Sequence, residues 1–459
     1  MEEVILIFDV GKTNKKVLLF NRKLKVVLEE ESRFEEVVDE EGFPCDDAYK
    51  LEQWIKETIL SYLTHELYLV CGINFTTYGA TLAYLDAEGK RLTPIYNYLK
   101  PLPDQVLEGF YESYGGVDEF SRRTASPSLG MLNSGLQLLW LKRCRPEQFI
   151  KVKQVLHFPQ YLAYLVHGKI VSEHTSIGCH TGMWNFDAMQ YHPWLKEEGI
   201  ILPEPQVVSE TFQVELEGKQ IQVGIGIHDS SSSLAPFIMT AKEPFILVST
   251  GTWCISMNPF NQEPLTAMEL KEDCLCFLGV HGKAVKSSRF FLGHIHDLNV
   301  ERLQEHFNKE ESAYKNVDPG TRLVRKYWES GEKGTKFFRN GIPVGWVDPQ
   351  VDPGEFGSFE EAYIRLMVDL SRQVVHSTAL IIAKKDSTKH LYITGGFARN
   401  PIFSTILSLA FPEKRVYTSE IDNASSLGAA LVMVENIWDG ATDHLELGLT
   451  SPVPRRPPR

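Results

Sequence analysis

The chain has 459 residues, too many for one compact core, so we expect at least two large domains. Its 43% hydrophobic and 23% charged residues are typical of a folded globular protein, and no apolar stretch approaches the length of a membrane span. The formal net charge of -13 argues against nucleic acid as a partner, because a phosphate backbone requires a basic face.

The amino terminus and the cysteines indicate the cytoplasm. Met1-Glu2-Glu3 leads directly into a strand-like run and lacks the basic start, the long apolar core and the cleavage site of a secretory signal. The seven cysteines, an odd number, are scattered without a Cys-x-x-Cys pair, which argues against a disulfide framework and a zinc ribbon. We therefore expect a cytoplasmic protein with neither a membrane nor a nucleic acid as its partner.

The first predicted element is a β-hairpin near the amino terminus. Two apolar runs, Val4 to Asp9 and Val17 to Phe20, flank a tip of sequence Gly11-Lys12-Thr13-Asn14. Small and hydroxylated residues at such a tip allow backbone amides to approach a phosphate closely, and Lys12 adds positive charge. A plain exposed turn is the alternative. The tip is not a P-loop, because the preceding glycine and the following helix are missing.

In two further stretches, polar or aromatic side chains lie where a predicted strand ends or where a predicted helical segment begins. A predicted helix over Tyr49 to Leu63 is followed by a strand over Leu67 to Ile73, which leads into Asn74 to Gly79. The cluster His157 to Tyr161 opens a predicted helical segment. The first stretch is typical of a ligand-binding edge, whereas a cluster like the second more often packs two elements together.

An aspartate in the middle of the chain follows a buried strand. The apolar run from Ile221 to Ile227 predicts that strand, and it stops at His228 and Asp229, before a series of serines that suit a helix N-terminus. Ligands of open α/β sheets bind at the carboxyl ends of strands, which is where this carboxylate lies. The alternative is that Asp229 caps the helix, since aspartate is a preferred N-cap residue.

A second predicted hairpin repeats the pattern of the first. Phe245 to Ser249 and Trp253 to Met257 are apolar strands on either side of Thr250-Gly251-Thr252. The repeat of an apolar strand, a tip of glycine and threonine, and another apolar strand suggests two domains of common ancestry that face a shared cleft. Chance similarity of two hairpins is the alternative.

The last part of the chain contains a glycine turn and a helix with small residues. A strand over His390 to Thr394 is followed by Gly395-Gly396 and a helix over Ile402 to Leu409, so a flat ligand has room against the backbone near a helix N-terminus. Gly428-Ala429-Ala430 lies in a later helix and permits close packing. We expect the end of the tail, residues 451–459, to be disordered.

Six motifs in this order resemble those of the FGGY carbohydrate kinases of the actin-like ATPase superfamily, and most of all those of the rhamnulokinase branch. They are Asp9 to Asn14, Tyr78-Gly79, Pro159-Gln160-Tyr161, His228-Asp229, Ser249 to Trp253, and Gly395 to Asn400. The resemblance implies an α/β protein with two actin-like (ribonuclease H-like) domains, in which mixed sheets are flanked by helices and a ligand cleft lies between the domains. It places a sugar-binding domain at residues 1–238, a nucleotide-binding domain at 239–440 and a tail at 441–459.

The same resemblance assigns roles to individual residues. Asp229 is expected to be the general base that takes a proton from a sugar hydroxyl, and Asp9 to hold Mg²⁺. The expected contacts to ATP come from the two hairpin tips and the glycine turn, namely Gly11, Lys12, Thr13, Asn14, Gly251, Thr252, Gly395, Gly396 and Asn400. The expected contacts to the sugar are Thr77, Tyr78, Gly79, Gln160 and His228.

The departures from the family pattern lie in the sugar pocket. Gln160 occupies the place of an aspartate, Asn97-Tyr98 replaces the usual Arg-Asp, and Thr76 to Thr81 lacks the acidic residues that are usual there. Loss of these hydrogen-bonding groups implies a changed acceptor. We expect an ATP-dependent and Mg²⁺-dependent kinase of a ketose such as L-rhamnulose or L-fuculose, acting as a monomer or homodimer. The alternatives are a catalytically weak sugar or nucleotide sensor or scaffold, and a kinase of a non-ketose polyol.

Overall fold

The computed structural model describes residues 1–318, 320–330 and 336–451. The prediction of disorder at the end of the tail concerns residues that lie almost entirely outside this part of the chain. Within the described residues, no helix combines the length and apolar character needed to cross a membrane.

The described residues of the first half of the chain form fifteen strands, many of them short, and eight α-helices. The strands are β1 (Glu2–Val10), β2 (Lys15–Asn21), β3 (Val26–Ser32), β4 (Val37–Val38), β5 (Pro44–Cys45), β6 (Tyr68–Thr77), β7 (Leu82–Leu85), β8 (Gln154–His157), β9 (Ser172–Glu173), β10 (Trp184–Asn185), β11 (Gln190–Tyr191), β12 (Pro205–Gln206), β13 (Thr211–Leu216), β14 (Lys219–Gly224) and β15 (Ile227–His228). The helices are α1 (Ala48–Leu63), α2 (Val117–Thr124), α3 (Ser134–Cys144), α4 (Pro146–Phe149), α5 (Phe158–His167), α6 (His174–Ile177), α7 (Trp194–Glu197) and α8 (Asp229–Thr240).

The second half contains a second large sheet and longer helices. Its strands are β16 (Phe245–Thr250), β17 (Cys254–Asn258), β18 (Cys274–Leu278), β19 (Ala284–Phe290), β20 (His390–Gly395), β21 (Arg415–Ser419) and β22 (Leu449–Thr450). Its helices are α9 (Ala267–Lys271), α10 (Leu292–Phe307), α11 (Gly320–Glu329), α12 (Phe359–Leu380), α13 (Pro401–Ala410) and α14 (Ala424–Val434).

The two large sheets share the same arrangement of strands around their first hairpin. Each has seven strands: the first runs β13-β14-β6-β1-β2-β3 with β15 also paired to β6, and the second runs β18-β19-β17-β16-β20-β21-β22. In the first sheet β1 pairs antiparallel with β2 and parallel with β6. In the second, β16 pairs antiparallel with β17 and parallel with β20. Both predicted hairpins are therefore present, and they hold equivalent positions in their sheets.

Strand β1 is buried because helices cover both faces of its sheet. Successive side chains of a strand point to opposite faces. Val4, Leu6 and Phe8 pack in the cluster that includes α1, whereas Ile5 and Ile7 pack in the cluster that includes α14. A helix from the second half of the sequence thus covers one face of the first sheet and joins the two halves.

Helices α8 and α14 cross at a glycine. A Cβ atom at Gly428 would overlap the carbonyl oxygen of Ser232, so the two backbones touch at this point. The Ser232 hydroxyl donates a hydrogen bond to the Ser425 carbonyl oxygen at 2.6 Å. The small residues of α14 therefore do permit the close packing that their sequence indicated.

Candidate active site

Asp229 lies at the first position of helix α8, directly after strand β15. The N-cap is His228, whose Nδ1 accepts a hydrogen bond from the Ser230 amide at 3.1 Å. The alternative reading of Asp229 as the helix cap is therefore wrong. Its carboxylate is 37% exposed and accepts a hydrogen bond from the Ser230 hydroxyl at 3.3 Å.

A bend before Asp229 replaces the continuous strand that the sequence predicts over residues 221–227. Strand β14 ends at Gly224, and β15 begins only at Ile227. Gly226 has φ +83°, and a Cβ there would overlap the Pro159 carbonyl oxygen, so glycine is required. Gln160 Nε2 donates to the carbonyl oxygens of Ile225 and Gly226 at 3.3 and 3.0 Å. In this structure the side chain of Gln160, expected at the sugar, fixes the bend that positions Asp229.

Burial raises the pKa of Asp229 to about 6, and hydrogen bonds from Ser230 oppose the shift. His228 does not stabilise the ionised form of the Asp229 carboxylate, although its Nδ1 lies 3.2 Å from Asp229 Oδ1. Burial lowers the pKa of His228 to about 4, so its ring is neutral near pH 7. A carboxylate with a pKa close to neutral pH is suited to take a proton from a substrate and release it afterwards.

Asp9 lies near Asp229 and is held by the start of helix α14. The hydroxyls of Ser425 and Ser426 both donate to Asp9 Oδ2 at 2.6 Å. Burial raises the pKa of Asp9 above its ordinary value, the two hydroxyls lower it, the charge of Asp229 raises it further, and the charge of Lys16 lowers it. The two carboxylates are therefore close enough to influence one another.

The carboxylate of Asp9 is chemically suited to a magnesium ion that keeps most of its water ligands. In the described part of the chain, no group of three or more His, Cys, Asp or Glu side chains could hold a metal ion. Mg²⁺ usually keeps several water ligands and is bound through one or two carboxylates together with substrate phosphates. Both serine hydroxyls donate to the same carboxylate oxygen of Asp9, Oδ2. A carboxylate such as that of Asp9 is one of the ligands that Mg²⁺ takes.

A cavity of about 400 Å³ lies between the start of α8 and the second sheet. Its lining combines Asp229 with polar side chains of strand β19 and apolar side chains of strand β18. The lining residues are Cys179, His180, Asp229, Ser230, Ser233, Ser249, Ile255, Met257, Asp273, Leu275, Phe277, Ser287, Ser288, Arg289 and Ser425. We call this the Asp229 cavity.

A second cavity, of about 500 Å³, lies beside the tip of the second hairpin and the glycine turn. It brings together four residues that the sequence predicted for the nucleotide, although they come from distant segments. Its lining residues are Gly251, Thr252, Gly293, His296, Asp297, Tyr314, Lys315, Gly396, Phe397, Arg399, Asn400 and Pro401. We call this the hairpin-tip cavity.

Gly395 and Asn400 have structural roles beside that cavity. Gly395 has φ +81°, and a Cβ there would overlap the Thr250 carbonyl oxygen. Asn400 caps helix α13, because its Oδ1 accepts from the amides of Ile402 and Phe403 at 3.0 and 3.2 Å. Its Nδ2 donates to the Tyr363 hydroxyl at 2.8 Å. Both polar side-chain atoms of Asn400 thus form hydrogen bonds within the protein. Its side chain can contact a ligand in the cavity mainly through van der Waals packing.

The tip of the first hairpin is placed differently from the second. Gly11, Thr13 and Asn14 do not appear among the residues that line either cavity. Within the described residues, Asn14 Oδ1 is a buried acceptor with no hydrogen-bond partner, as expected of an atom that a ligand could engage. The phosphate contacts predicted for this tip remain predictions.

Lys12 departs from its expected role as a charge for phosphate. Its ammonium lies 2.7 Å from Glu36 Oε1 and 3.0 Å from Asp46 Oδ2. Lys15, which is almost fully buried, approaches the other oxygen of Asp46 at 2.9 Å. In this arrangement the charge of Lys12 is balanced within an ion-pair network, and its predicted contact to phosphate stays a prediction.

The remaining residues predicted for the sugar are packed together around His228. The Tyr78 hydroxyl donates to Asp46 Oδ2 at 2.6 Å, and the Thr77 hydroxyl donates to the Tyr78 carbonyl oxygen at 2.7 Å. A Cβ at Gly79 would overlap the imidazole of His228. The side-chain hydroxyls of Thr77 and Tyr78 are therefore used inside the protein, and Gly79 provides space for His228.

Sequence reasoning missed Arg289, His180 and the pair Ser425-Ser426. The two serines follow a helix start and carry a recognisable N-terminal signal, but only the fold brings them to Asp9. Arg289 lies within a strand, where no local pattern distinguishes it from a surface residue.

Two family models match the chain. One describes the N-terminal domain of the FGGY family of carbohydrate kinases and covers residues 4–205; the other describes the C-terminal domain of carbohydrate kinase FGGY and covers residues 242–441. Rhamnulokinases are among the relatives. That of Oceanobacillus iheyensis is 25% identical over 274 residues, with 56% of each chain covered. That of Yersinia pestis strain Pestoides F is 26% identical over 263 residues, with 54% of this chain and 52% of the relative covered. This chain spans about half the length of the curated relatives it matches.

Solved structures of sugar and glycerol kinases share the fold. A carbohydrate kinase from Novosphingobium aromaticivorans superposes with a TM-score of 0.76 at 24% identity and 93% coverage of both chains. A xylulose kinase from Rhodospirillum rubrum gives 0.76 at 15% identity, with 98% of this chain and 94% of the other covered. These likenesses confirm the predicted α/β class with two sheets flanked by helices. Because the two family models together cover most of its length, the chain belongs to the FGGY family of carbohydrate kinases.

Proposed function

We propose that this protein transfers the γ-phosphoryl group of ATP to a hydroxyl of a sugar. The observation that carries the proposal is Asp229, a carboxylate with a raised pKa that borders a cavity next to Asp9. The second hairpin connects this cavity with the hairpin-tip cavity, since β16 contributes Ser249 to the first and the tip contributes Gly251 and Thr252 to the second. ATP in the hairpin-tip cavity and a sugar at Asp229 would thus share one cleft.

The proposed reaction is an in-line transfer. The acceptor oxygen attacks the γ-phosphorus, the bond from that phosphorus to the β–γ bridging oxygen breaks, and ADP leaves. Asp229 accepts the proton of the attacking hydroxyl, and Asp9 would hold Mg²⁺. When bound, the ion neutralises charge on the phosphate oxygens. Gly251, Thr252 and Gly396 would contact the nucleotide through backbone groups, while Gln160 and His228 keep Asp229 in position.

We propose a ketose as the acceptor, with L-rhamnulose and L-fuculose as the first candidates. The rhamnulokinases among the relatives support this choice, and the modest identity leaves the individual sugar to experiment. The free state of all seven cysteines, most of them buried, supports a reducing compartment such as the cytoplasm.

A panel of acceptors tests the function directly. Purified protein with Mg-ATP is incubated with ketohexoses, ketopentoses and polyols, and ADP release is measured for each. We expect acceptor-dependent ADP release, largest with a ketose, and a phosphorylated product detectable by mass spectrometry. A response to polyols alone would support the non-ketose alternative. Nucleotide binding without any acceptor-dependent turnover would support the sensor alternative and contradict the kinase.

The pH dependence of turnover follows from the pKa of Asp229. The base acts in its ionised form, so its active fraction falls as the pH falls through a pKa of about 6. We expect kcat/KM for the acceptor to be constant near neutral pH and to fall about tenfold per pH unit below about 6. A profile that stays flat down to about pH 4.5 would contradict Asp229 as the titrating base.

A further inference from the structure

Phosphoryl transfer needs positive charge near the transferring group, and Lys12 is already paired with carboxylates. Negative charge on the transferring group is stabilised in related chemistry by metal ions together with lysine or arginine side chains. The ammonium of Lys12 is neutralised by Glu36 and Asp46. Among the described residues that line the Asp229 cavity, Arg289 carries the only permanent positive charge.

Arg289 lines the Asp229 cavity and lies beside the predicted phosphate tip. It belongs to strand β19 and pairs with Ile255 of β17, which follows the hairpin tip by a few residues. Its guanidinium carbon lies 5.1 Å from the ring centroid of Trp253, the residue directly after Gly251-Thr252. The tip therefore borders one cavity, and Arg289, which lies beside the tip, borders the other.

Two neighbours orient the guanidinium. Nε and Nη2 of Arg289 approach the same oxygen of Asp273 at 3.3 and 3.1 Å. Trp253 is itself stacked on Phe291, with ring centroids 4.2 Å apart, so the surface beneath the guanidinium is rigid. Burial is the main cause of the lowered pKa of His180, which lines the same cavity; the positive charge of Arg289 contributes to it, and a hydrogen bond with the Ala125 backbone opposes it.

A purely structural role explains this arrangement poorly. Arg289 and Asp273 are 31% and 54% exposed, and a half-exposed ion pair of this kind contributes little to stability. The guanidinium lies at the wall of a cavity that also contains Asp229, within reach of an anionic ligand bound there. Because one carboxylate oxygen receives both nitrogens, the guanidinium keeps donors for a ligand.

We propose that Arg289 is a catalytic residue that contacts the transferring γ-phosphoryl group and stabilises the negative charge on its oxygens during transfer. This inference rests on the proposed kinase function and adds a specific charge donor to it. Arg289 neither gains nor loses a proton. The acceptor proton still goes to Asp229, and ADP still carries away the bridging oxygen.

The test compares Arg289→Ala and Arg289→Lys with Arg123→Ala. The control removes an arginine that pairs with Glu119 on helix α2 and lines neither cavity. For each protein, kcat, the KM of both substrates, the Kd of Mg-ADP, the Kd of Mg-ADP with aluminium fluoride, and the melting temperature are measured. Free guanidinium is then added to the Arg289→Ala variant.

We expect both Arg289 variants to lose about 10²- to 10³-fold in kcat while the Kd of Mg-ADP stays unchanged. Binding of the aluminium fluoride complex, which mimics the transferring group, should weaken by a similar factor. The Arg289→Lys variant should recover little of the lost kcat relative to Arg289→Ala, because lysine lacks the planar set of donors of arginine. Guanidinium should restore part of the turnover of Arg289→Ala, and Arg123→Ala should behave like the wild type.

Three outcomes would overturn the inference. An unchanged kcat in Arg289→Ala excludes a role in transfer. So does a loss of kcat that follows a lower melting temperature and is not restored by guanidinium, since this indicates only structural support. An inactive wild-type protein across the whole acceptor panel overturns the proposed function and the inference with it, and the wild-type measurement distinguishes this case from the other two.

Discussion

Replacing Asp229 with asparagine is expected to reduce kcat by about 10³-fold or more while leaving the Kd of Mg-ADP unchanged. Asparagine has the same shape but cannot accept the proton of the attacking hydroxyl. The N-cap of α8 is His228, so the substitution leaves the helix start intact. The measurement is single-turnover phosphorylation of the preferred acceptor, together with calorimetric titration of Mg-ADP.

Asp47→Asn is the matched control for this experiment. Asp47 is also an aspartate at a helix start, where it accepts from the Lys50 amide at 3.0 Å, and asparagine caps a helix equally well. The control loses the same charge outside both cavities and should keep wild-type turnover. If Asp229→Asn keeps turnover within a few-fold of the wild type, the base must be another group.

The duplicated fold was predictable because its signal is local. In both halves an apolar run, a tip with glycine and threonine, and a second apolar run occur within some twenty consecutive residues. Antiparallel pairing of neighbouring strands requires no information from elsewhere in the chain. Strands β6 and β20, which pair parallel with β1 and β16, come from later segments of the chain. Each is nevertheless a buried apolar run, so its own sequence predicts a strand.

The errors concern contacts that come from distant parts of the chain. The run 221–227 reads as one strand, but Gln160 and Pro159 impose a bend on it. The sequence likewise does not reveal that Lys12 pairs with Glu36 and Asp46, which are distant in the chain.

Asn400 is a different case, because its sequence carried the relevant signal. An asparagine directly before a proline that opens a helix is a good N-cap, and the structure shows it in that role. The family resemblance adds a nucleotide contact for Asn400, and that contact stays a prediction.

Replacing Gly428 with alanine is expected to destabilise the protein by about 3 kcal/mol and to lower its melting temperature by roughly 6 to 12 °C. The added Cβ would overlap the backbone carbonyl of Ser232, which cannot rotate away as a side chain could. Helices α8 and α14 must therefore move apart. Differential scanning calorimetry measures the loss, with Gly396→Ala as the control, because a Cβ at Gly396 meets no atom within 4 Å.

The same substitution should also reduce kcat by about 10²-fold, since a misplacement of about 1 Å at a catalytic group has an effect of this size. Helix α8 begins with Asp229, and α14 begins with the two serines that hold Asp9. The crossing at Gly428 thus sets the distance between the proposed base and the proposed metal ligand. If Gly428→Ala melts and turns over like the wild type, the close contact of these helices does not determine the geometry of the site.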